Sequence, residues 1–519
     1  MSSLEAALEP RSLRARAAKR ATLALLGLFI LGVAAIWAAP RPRMIDLPQH
    51  AGQIALLHDL ILGRSPWAGE IRINLATPYL IGYGLALPLS FLMPAGAALK
   101  TVLTAAYAGF IAACLGIRRE LGASPKLDAY YAFSFFGFAY GWGMFTFLVA
   151  APVGLAFIWL CIRYARGGRG LRQGLGVAAL GLALLLSHGL VFLFAGGLGG
   201  LILLVRATSL RGLVVRSWPF WLLLAACAAI AVLTRERETA LTPAFASQVH
   251  FGAFGLHLRS IVGNAFDAPA RRWPIAFFAI FAGLPLLGGF RPDWRAREAV
   301  VILAATLAAL AFAPHYAWST SMLFERFAIF LPPAYAWVLR ERPPAAGSLA
   351  VRLQPHVALV AGLACAAVLA QHARLALAFG REQRSFETVL SAAAPGERAL
   401  ALIFDAASEV DDDDEAYLHH ALWYQADRHG FVDFNFAAFH PQIARFRPGR
   451  IPPAGERLAM NPQQFDWRAN GGDRYRYIFV RSDGPPPARA LAGAPCPPAL
   501  VAAAGKWRLY ERRASCAAP

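Results

Sequence analysis

Long apolar runs, each bounded by clusters of arginine, are the feature that most restricts how this chain can fold. The first run, residues 21–39, follows five basic residues and has about the length at which a helix crosses the hydrocarbon core of a bilayer. Only 16% of the residues are charged and 57% are hydrophobic, whereas soluble domains carry about 25% charged residues. The composition therefore excludes an ordinary soluble enzyme and predicts a polytopic α-helical membrane protein.

The positive charge has a membrane explanation as well. The chain holds 50 Lys and Arg against 31 Asp and Glu, a formal net charge of +19. In a soluble protein this excess would suggest a nucleic-acid partner. Here the basic residues lie between apolar runs, where positive charge marks the cytoplasmic loops. We therefore expect the lipid bilayer, and no nucleic acid, as a partner.

The basic loops give a topology of about eleven spans. Placing five basic segments in the cytoplasm satisfies the positive-inside rule: 118–126, 163–172, 206–216, 291–297 and 340–352. After the first helix, the predicted spans are 97–117, 127–143, 145–163, 174–189, 190–205, 217–234, 273–290, 298–313, 326–339 and 355–378. The run 77–92 is read as a re-entrant or membrane-surface helix, because a crossing there would invert every later loop.

Three regions follow from this map. Residues 1–20 form a cytoplasmic tail, residues 21–380 a multi-span domain with large outer loops at 40–94 and 235–272, and residues 381–519 a soluble domain on the outer face. In the last region we predict strands at 399–404, 475–481 and 506–511 and a helix at 416–428, which indicates a small α/β or α+β domain. In an oxidising compartment Cys496 and Cys516 would pair; the alternative is two free thiols.

Asp46 is the first candidate for chemistry. It follows the outer end of the first span, where a reduced dielectric strengthens the interaction of a carboxylate with a cation or a proton. His50 shares its face if a helix begins at residues 47–48, and residues 51–62 suit an interfacial helix. The alternative role for Asp46 is an N-cap of that helix, because Pro48 favours a first helical turn.

Arg326, His188 and His315 are candidates for holding a phosphate group. Arg326 begins a late span at the outer face, and a guanidinium binds phosphate through two parallel hydrogen bonds. The alternatives for Arg326 are contact with lipid headgroups or an ion pair with Glu325. His188 lies where two apolar runs meet on the outer face, and it either acts at membrane depth or stabilises a turn.

A further group on the outer face is a candidate for binding a second substrate. His257 and Asn264 lie in the loop 235–272 and are candidates for lining a cleft, with exposed loop residues as the alternative. Tyr140 and Trp142 lie in a glycine-rich turn and are candidates for an apolar wall or a sugar platform. An interfacial aromatic belt explains the two aromatic residues equally well.

In this order and on this side, the residues resemble the GT-C superfamily of integral-membrane glycosyltransferases, which take sugars from polyprenyl-phosphate carriers. The resemblance covers about the first 380 residues and rests on Asp46 in the first outer loop, on Thr77-Pro78-Tyr79, and on Glu325-Arg326-Phe327 followed by Leu331-Pro332-Pro333. Many members carry a pair of acids at the first site, whereas Leu47 follows Asp46 here.

The resemblance implies a sugar transferase, hexosyl or pentosyl. The Ala- and Arg-rich composition and the absence of eukaryotic sorting signals indicate a bacterial inner membrane. The donor would be a polyprenyl-phosphate-linked sugar with its phosphate near Arg326, and the acceptor an envelope glycan, lipid or protein on the periplasmic face. Asp46 would act as general base, or would hold the acceptor or a divalent cation such as Mg²⁺ or Mn²⁺. The alternatives are a transporter or flippase for lipid-linked cargo and a noncatalytic protein of envelope glycan assembly.

Overall fold

The computed structural model describes most of the 519 residues. The described residues are 3–167, 170–238, 249–267, 272–317, 320–410, 414–439, 441–452, 458, 461–486, 488–491 and 493–513.

Helices dominate the first three quarters of the chain. In chain order they are α1 (Ser3–Trp37), α2 (Leu47–Ile61), α3 (Leu80–Ser90), α4 (Ala95–Leu121), α5 (Ala129–Phe133), α6 (Phe138–Gly141), α7 (Phe145–Arg166), α8 (Leu171–Leu185), α9 (Gly189–Arg206), α10 (Leu210–Arg216), α11 (Trp218–Glu238), α12 (Phe254–Phe266), α13 (Arg272–Leu287), α14 (Arg297–Phe312), α15 (Leu331–Val338), α16 (Leu349–Leu353), α17 (Val357–Glu382), α18 (Arg384–Ala392), α19 (Trp423–Arg428) and α20 (Ala488–Leu491).

The strands are short, and most of them lie in the C-terminal region. They are β1 (Ile71–Ile73), β2 (Val249–His250), β3 (Phe290–Pro292), β4 (Tyr316–Ala317), β5 (Thr320–Ser321), β6 (Leu339–Glu341), β7 (Arg398–Ile403), β8 (Phe431–Val432), β9 (Ala444–Phe446), β10 (Tyr477–Arg481), β11 (Ala499–Ala504) and β12 (Trp507–Glu511). A polytopic helical protein with a C-terminal sheet is thereby confirmed.

Within the described residues, five helices are long and apolar enough to cross a membrane, or six if the bent pair α10 and α11 forms one span. The five comprise the apolar part of α1, together with α4, α7, α9 and the continuous stretch of α16 and α17. Three shorter apolar helices, α3, α8 and most of α13, join them. The predicted surface or re-entrant run 77–92 corresponds to α3, whose 11 residues are too few to span by themselves.

Two predicted spans do not exist as single helices. Residues 326–339 fold as the 3₁₀ turn Glu325–Phe330 followed by α15, which has only eight residues. Residues 127–143 fold as a chain of short helical pieces that includes α5 and α6, with an extended backbone at Gly137 between them. Most of their aromatic residues, among them Phe133 and Phe136, are buried against neighbouring helices. A mostly apolar run therefore reflects burial inside the protein here rather than contact with lipid, and the prediction of one continuous helix was wrong in both cases.

The five basic segments meet at one end of the molecule. Lys126 pairs with Glu341 at 2.5 Å, which joins the first segment to the fifth. Glu298, next to the fourth segment, pairs with Arg166 at 2.8 Å and with Arg206 at 2.6 Å. Arg166 also lies 3.5 Å from Glu120 of the first segment, which links the two groups. Ion pairs require the partners to lie on the same side of the helical bundle, as the charge-based topology predicted.

The C-terminal sheet is mixed and has the strand order β11-β12-β10-β7-β8. Strands β7 and β10 run parallel in its centre, and β12 pairs antiparallel with β10. Three of the strands overlap the three predicted strands, whereas the predicted helix 416–428 is regular only in α19 and the 3₁₀ turn before it. Strand β11 was not predicted.

The first outer loop is clamped against the C-terminal region. Strand β1 pairs antiparallel with β9. Near the end of α2, Oδ2 of Asp59 lies 2.8 Å from Nδ1 of His429, within hydrogen-bond distance. Helix α2 is buried along nearly its whole length and packs on α19. The prediction of an interfacial helix at residues 51–62 was therefore wrong, because the C-terminal region covers the face that the sequence pattern assigned to the membrane surface.

A buried ion network fixes this docking and makes a stability prediction. Arg398 donates to Asp433 at 2.7 Å and to Glu70 of the first outer loop at 2.8 Å, and Tyr475 donates to Asp433 at 2.7 Å. Asp433→Ala should lower the free energy of unfolding by about 3–5 kcal/mol, because it removes the internal counter-ion of a buried guanidinium and leaves it only the more exposed Glu70. Denaturant unfolding monitored by tryptophan fluorescence measures the loss.

The matched control is Glu70→Ala, which removes a more exposed carboxylate from the same arginine. We expect this variant to lose about 1 kcal/mol or less. Equal losses for the two variants would contradict the claim that Asp433 is the internal counter-ion of Arg398.

Candidate functional site

Asp46 is placed by a backbone contact with the turn between α6 and α7. Its N–H donates to the carbonyl of Trp142 at 2.8 Å. Gly143 in that turn has φ of +82°, and a Cβ there would lie 2.9 Å from the Asp46 nitrogen. Only glycine combines this left-handed backbone with so close an approach. The glycine-rich turn therefore sets the position of the candidate acid.

The Asp46 side chain does not cap the helix that follows it. Asp46 occupies the N-cap position of α2, but its carboxylate makes no capping hydrogen bond to any described residue. The second residue of the helix is Pro48, which has no N–H to offer. The carboxyl is 16% exposed, and its Oδ1 lies 3.4 Å from Nε2 of His419 in the C-terminal region. Asp46 therefore occupies the N-cap position without capping the helix through its side chain.

The surroundings of Asp46 bring the pKa of its carboxyl group close to neutral pH. Burial raises the pKa of Asp46 to about 7, against the lowering effects of the Arg326 charge and of a hydrogen bond with the Trp142 side chain. The Glu415 carboxylate raises the pKa of Asp46 further. A carboxyl group with a pKa near the working pH is suited to accept a proton and later release it.

Arg326 faces the same cluster. It lies on the 3₁₀ turn Glu325–Phe330, is buried, and donates to the carbonyls of Met322 at 3.0 Å and Ser321 at 2.8 Å. Its charge acts on the pKa of Asp46 and of His50. No carboxylate among the described residues lies within 4 Å of it, and Glu325 bonds His315 instead.

These contacts leave part of the guanidinium available. Both recorded hydrogen bonds of Arg326 use Nε and Nη2, and Nη1 bonds no residue in the described ranges. The side chain is 9% exposed, so it does not extend to lipid headgroups. These contacts fit neither alternative for Arg326, contact with lipid headgroups or an ion pair with Glu325. Phosphate binding stays a prediction, for which a buried cation with a free donor is suited.

His50 heads a buried chain of hydrogen bonds. Its Nδ1 lies 2.6 Å from the Tyr83 hydroxyl, which donates to Oε1 of Gln442 at 2.7 Å. Because the tyrosine proton is directed to Gln442, Nδ1 carries the imidazole proton and donates it to the tyrosine oxygen. Burial lowers the pKa of His50 to about 3, so the ring is neutral.

His188 serves a local structural role beside the cluster. It is the N-cap of α9, and its Nδ1 accepts the N–H of Leu190 at 3.2 Å. The ring is buried against Tyr79, with centroids 5.0 Å apart. The Arg326 charge acts on the pKa of Tyr79 as well. His188 therefore stabilises the turn, as one of its two predicted roles requires, and it also lies within reach of the Arg326 charge.

A cavity of about 960 Å³ opens next to the cluster. Trp142, His257, Asn264 and His315 all line it, so four of the predicted site residues share one space. The two ring nitrogens of His257 and the amide nitrogen of Asn264 are buried there without a partner in the described part of the chain. Oε2 of Glu325 is a third such group in the lining. Buried polar atoms of this kind mark a surface that a polar ligand can satisfy.

Tyr140 lies apart from these residues. It lines a separate small cavity with Arg43 and Asp267, and its ring packs on Phe136 with centroids 4.7 Å apart. Arg43 and Asp267 form an ion pair at 2.5 Å that joins the first outer loop to the end of α12. The position of Tyr140 therefore favours packing over contact with a ligand in the large cavity.

Residues of the C-terminal region were missed as part of the site. His419, Gln442 and Phe436 reach the Asp46 cluster from more than 350 positions away along the chain. No local pattern marks them, because a histidine in a soluble domain is usually a packed core residue. The described residues contain no group of three or more His, Cys, Asp or Glu that could hold a metal ion. Cys496 is disulfide-bonded, and Cys516 lies outside the described residues.

Comparison with known proteins identifies the fold. Neither a protein-family model nor a curated protein matches the chain. Among solved structures, it is similar to ArnT from Cupriavidus metallidurans bound to undecaprenyl phosphate, with a TM-score of 0.51 and 14% identity over 96% of this chain and 99% of that one. It is also similar to the arabinofuranosyltransferase AftD from Mycobacteria, with a TM-score of 0.51 and 12% identity over 96% of this chain.

The chain spans 40% of the length of the AftD chain that it matches. Both similar structures are GT-C membrane glycosyltransferases. The chain therefore shares the fold of these two structures over nearly its whole length.

Proposed function

We propose that this chain is a membrane glycosyltransferase that moves a sugar from a polyprenyl-phosphate carrier to an acceptor hydroxyl. The observation that carries the proposal is the electrostatic interaction of Asp46 with Arg326: the charge of this buried guanidinium, a group able to bind phosphate, lowers the pKa of the Asp46 carboxyl. Their separation of 280 positions in sequence makes this interaction a property of the fold. That fold is shared with ArnT, which has been solved with undecaprenyl phosphate.

The donor phosphate is proposed to lie at Arg326. Its free Nη1 supplies one hydrogen bond and its full charge, while Nε and Nη2 hold the guanidinium plane against backbone carbonyls. Tyr79 and His188, whose ring centroids lie 5.0 Å apart, are near enough to feel the Arg326 charge. A preorganised cation at the leaving group stabilises the negative charge that develops as the bond to the sugar breaks.

The acceptor is proposed to approach from the large cavity. Its hydroxyl oxygen attacks the anomeric carbon, the bond from that carbon to the phosphate oxygen breaks, and the polyprenyl phosphate leaves with the electron pair. The hydroxyl proton passes to Asp46. A single displacement of this kind inverts the anomeric configuration.

The cavity lining suggests what kind of acceptor fits. The imidazole of His257, the amide of Asn264 and the carboxylate of Glu325 offer unpaired donors and acceptors of both kinds, as a polyhydroxylated group requires. His257 stacks on Phe324 with centroids 3.8 Å apart, which fixes its ring. An envelope glycan or the sugar headgroup of a lipid is the acceptor class that we propose.

The cellular setting is part of the proposal. The first outer loop and the C-terminal region contact each other, and the basic segments cluster elsewhere in the molecule. The positive-inside rule then assigns the Asp46 cluster to the periplasmic face of a bacterial inner membrane. Any divalent cation that assists the reaction remains unassigned to residues of this chain.

The pH dependence of transfer tests this proposal. With purified protein in lipid nanodiscs and a panel of undecaprenyl-phosphate pentoses and hexoses, release of undecaprenyl phosphate measures turnover. We expect kcat/KM to fall about tenfold per pH unit below about 7, because Asp46 must be ionised to accept the proton and burial raises its pKa to about 7. A profile that is flat from pH 5 to pH 8 would contradict Asp46 as the base, and no release from any donor would contradict the proposed activity.

A further inference from the structure

The C-terminal region contacts the Asp46 cluster at three points. Nε2 of His419 lies 3.4 Å from Oδ1 of Asp46. Gln442 accepts the hydrogen bond that ends the chain from His50. The ring of Phe436 meets the His50 ring edge-on, with centroids 5.2 Å apart. One wall of the proposed site therefore comes from a part of the chain outside the membrane spans.

The fold holds His419 in place. The next residue, His420, packs on a different ring, that of Phe386, with centroids 4.7 Å apart. His419 itself packs on Phe434 with centroids 5.5 Å apart. Gln49 of α2 accepts the N–H of Phe436 at 2.9 Å and fastens the loop that carries both phenylalanines. The approach of His419 to Asp46 is therefore fixed from several directions.

The surroundings of His419 also select its tautomer. Burial lowers its pKa to about 3, so the ring is neutral and carries one N–H. Nδ1 is buried with no partner among the described residues, and a proton there would have no acceptor. A proton on Nε2 points toward the Asp46 carboxylate. The contact of 3.4 Å is longer than a normal hydrogen bond, and catalytic hydrogen bonds commonly tighten when substrate binds.

We propose that the C-terminal region completes the active site and that His419 is a positioning residue for Asp46. The inference rests on the proposed function of Asp46 as the base. Nε2–H of His419 donates to Oδ1 and fixes the plane of the carboxyl group, which leaves Oδ2 directed to the hydroxyl of the acceptor. An aspartate without this donor would rotate, and misorientation of a base is costly even when its chemistry is intact.

Other groups around Asp46 also determine its pKa, and a pH test has to take them into account. Arg326 and Trp142 lower its pKa and Glu415 raises it, while the neutral groups Tyr79, Tyr83 and His50 complete the surroundings on α2 and α3. All of these groups stay in place when His419 is replaced, and among them His50 is the one whose pKa His419 also lowers. A hydrogen-bond donor stabilises the ionised form of a carboxyl group, so loss of the His419 donor should raise the pKa of Asp46.

The test compares three variants in nanodiscs, with wild type and Asp46→Asn measured alongside. His419→Leu keeps the bulk without the donor, and His419→Gln places an amide N–H near the position of Nε2. His429→Leu is the matched control, because it removes a histidine that bonds an aspartate of α2, Asp59, away from the site. Transfer kinetics give kcat and KM, and difference infrared spectroscopy follows protonation of Asp46 without any substrate.

We expect His419→Leu to lower kcat by about 10- to 100-fold with little change in KM, as outer partners of functional residues typically do. The titration midpoint of Asp46 should move to higher pH in this variant. His419→Gln should restore both properties in large part, and His429→Leu should match wild type in both.

The outcomes separate the two proposals. Equal losses in the leucine and glutamine variants, or an unchanged midpoint and kcat in His419→Leu, would overturn the role of His419 while leaving Asp46 as the base. Full activity in Asp46→Asn, or absence of transfer in wild type, would overturn the proposed function itself. The infrared midpoint decides the positioning role even in the second case, because it needs no donor or acceptor.

Discussion

Replacing Asp46 with asparagine is expected to lower sugar transfer by about 1,000-fold while the protein remains folded. The amide has the size of the carboxyl group but cannot accept the acceptor's proton, and general base catalysis contributes roughly 10²–10⁴-fold. Release of undecaprenyl phosphate from the donor panel measures the loss, and size-exclusion chromatography with thermal unfolding monitors the fold.

The same variant makes a stability prediction of unusual sign. Burial raises the pKa of Asp46 from 3.8 to about 7, so the folded protein resists ionisation that the unfolded chain accepts. The resulting penalty on folding grows as the pH rises between these two values and is fully present above them. Asp46→Asn should therefore unfold at the same temperature as wild type, or at a higher one, at pH 8.

Asp59 offers a matched control on the same helix. It bonds His429 and Arg64, and the hydrogen bond with His429 is the largest of the effects that hold its pKa below the usual value against burial. Asp59→Asn should retain transfer and lose stability at neutral pH, the reverse of Asp46→Asn. If Asp46→Asn transferred sugar normally, or if both variants lost activity equally, the assignment of Asp46 as base would be wrong.

Replacing Arg326 with alanine is expected to lower kcat by about 10²–10³-fold, because one preorganised donor for developing negative charge is lost. Arg326→Lys keeps the charge but cannot hold both backbone carbonyls and a phosphate in one plane, so its activity should remain well below that of wild type. Single-turnover release of undecaprenyl phosphate is the direct measurement.

A second effect distinguishes Arg326 from a general structural role. The Arg326 charge lowers the pKa of Asp46, so its removal should move the acidic limb of kcat/KM to higher pH. Arg340 is the matched control, because it also donates to backbone carbonyls, those of Trp337 and Leu121, but at the end of the bundle with the basic segments. Arg340→Ala should leave the acidic limb in place, and a shift of equal size there would contradict a direct interaction.

Several elements could be predicted because their signal is local. The helices α4 and α7 combine apolar runs of spanning length with arginines at one end, so length and charge suffice to place them. Asp46 stands out because it lies a few residues past the outer end of the first span, where a reduced dielectric strengthens the interactions of a carboxylate. The central strands β7 and β10 are continuous apolar runs, as buried parallel strands commonly are.

Other elements depend on contacts that no local pattern encodes. Residues 127–143 are apolar enough to cross a membrane, but neighbouring helices bury them and the glycine positions break the helix. Strand β11, Ala-Leu-Val-Ala-Ala-Ala, lacks alternation and has the composition of a helix; its pairing with β12 decides its structure. Alanine-rich stretches follow tertiary context more than intrinsic propensity in such cases.

The candidate site likewise combines residues that the sequence marks locally with residues that only long-range contacts bring in. The sequence picked out Asp46 and Arg326 separately, because each is ionisable and lies near the end of a span. It did not reveal His419 or Gln442, since their approach to the site follows from the pairing of β1 with β9 and from the burial of α2. The packing of the C-terminal region on the first outer loop therefore brings these residues next to the candidate base.

The most direct test of the central claim is a cryo-electron microscopy structure of the protein in nanodiscs with undecaprenyl phosphate. The account predicts the phosphate within hydrogen-bond distance of Nη1 of Arg326, with Asp46 across the gap that a sugar would occupy and His419 in contact with its Oδ1. A phosphate bound elsewhere, with Arg326 still bonded only to the carbonyls of Met322 and Ser321, would contradict the claim that these residues form one transferase site.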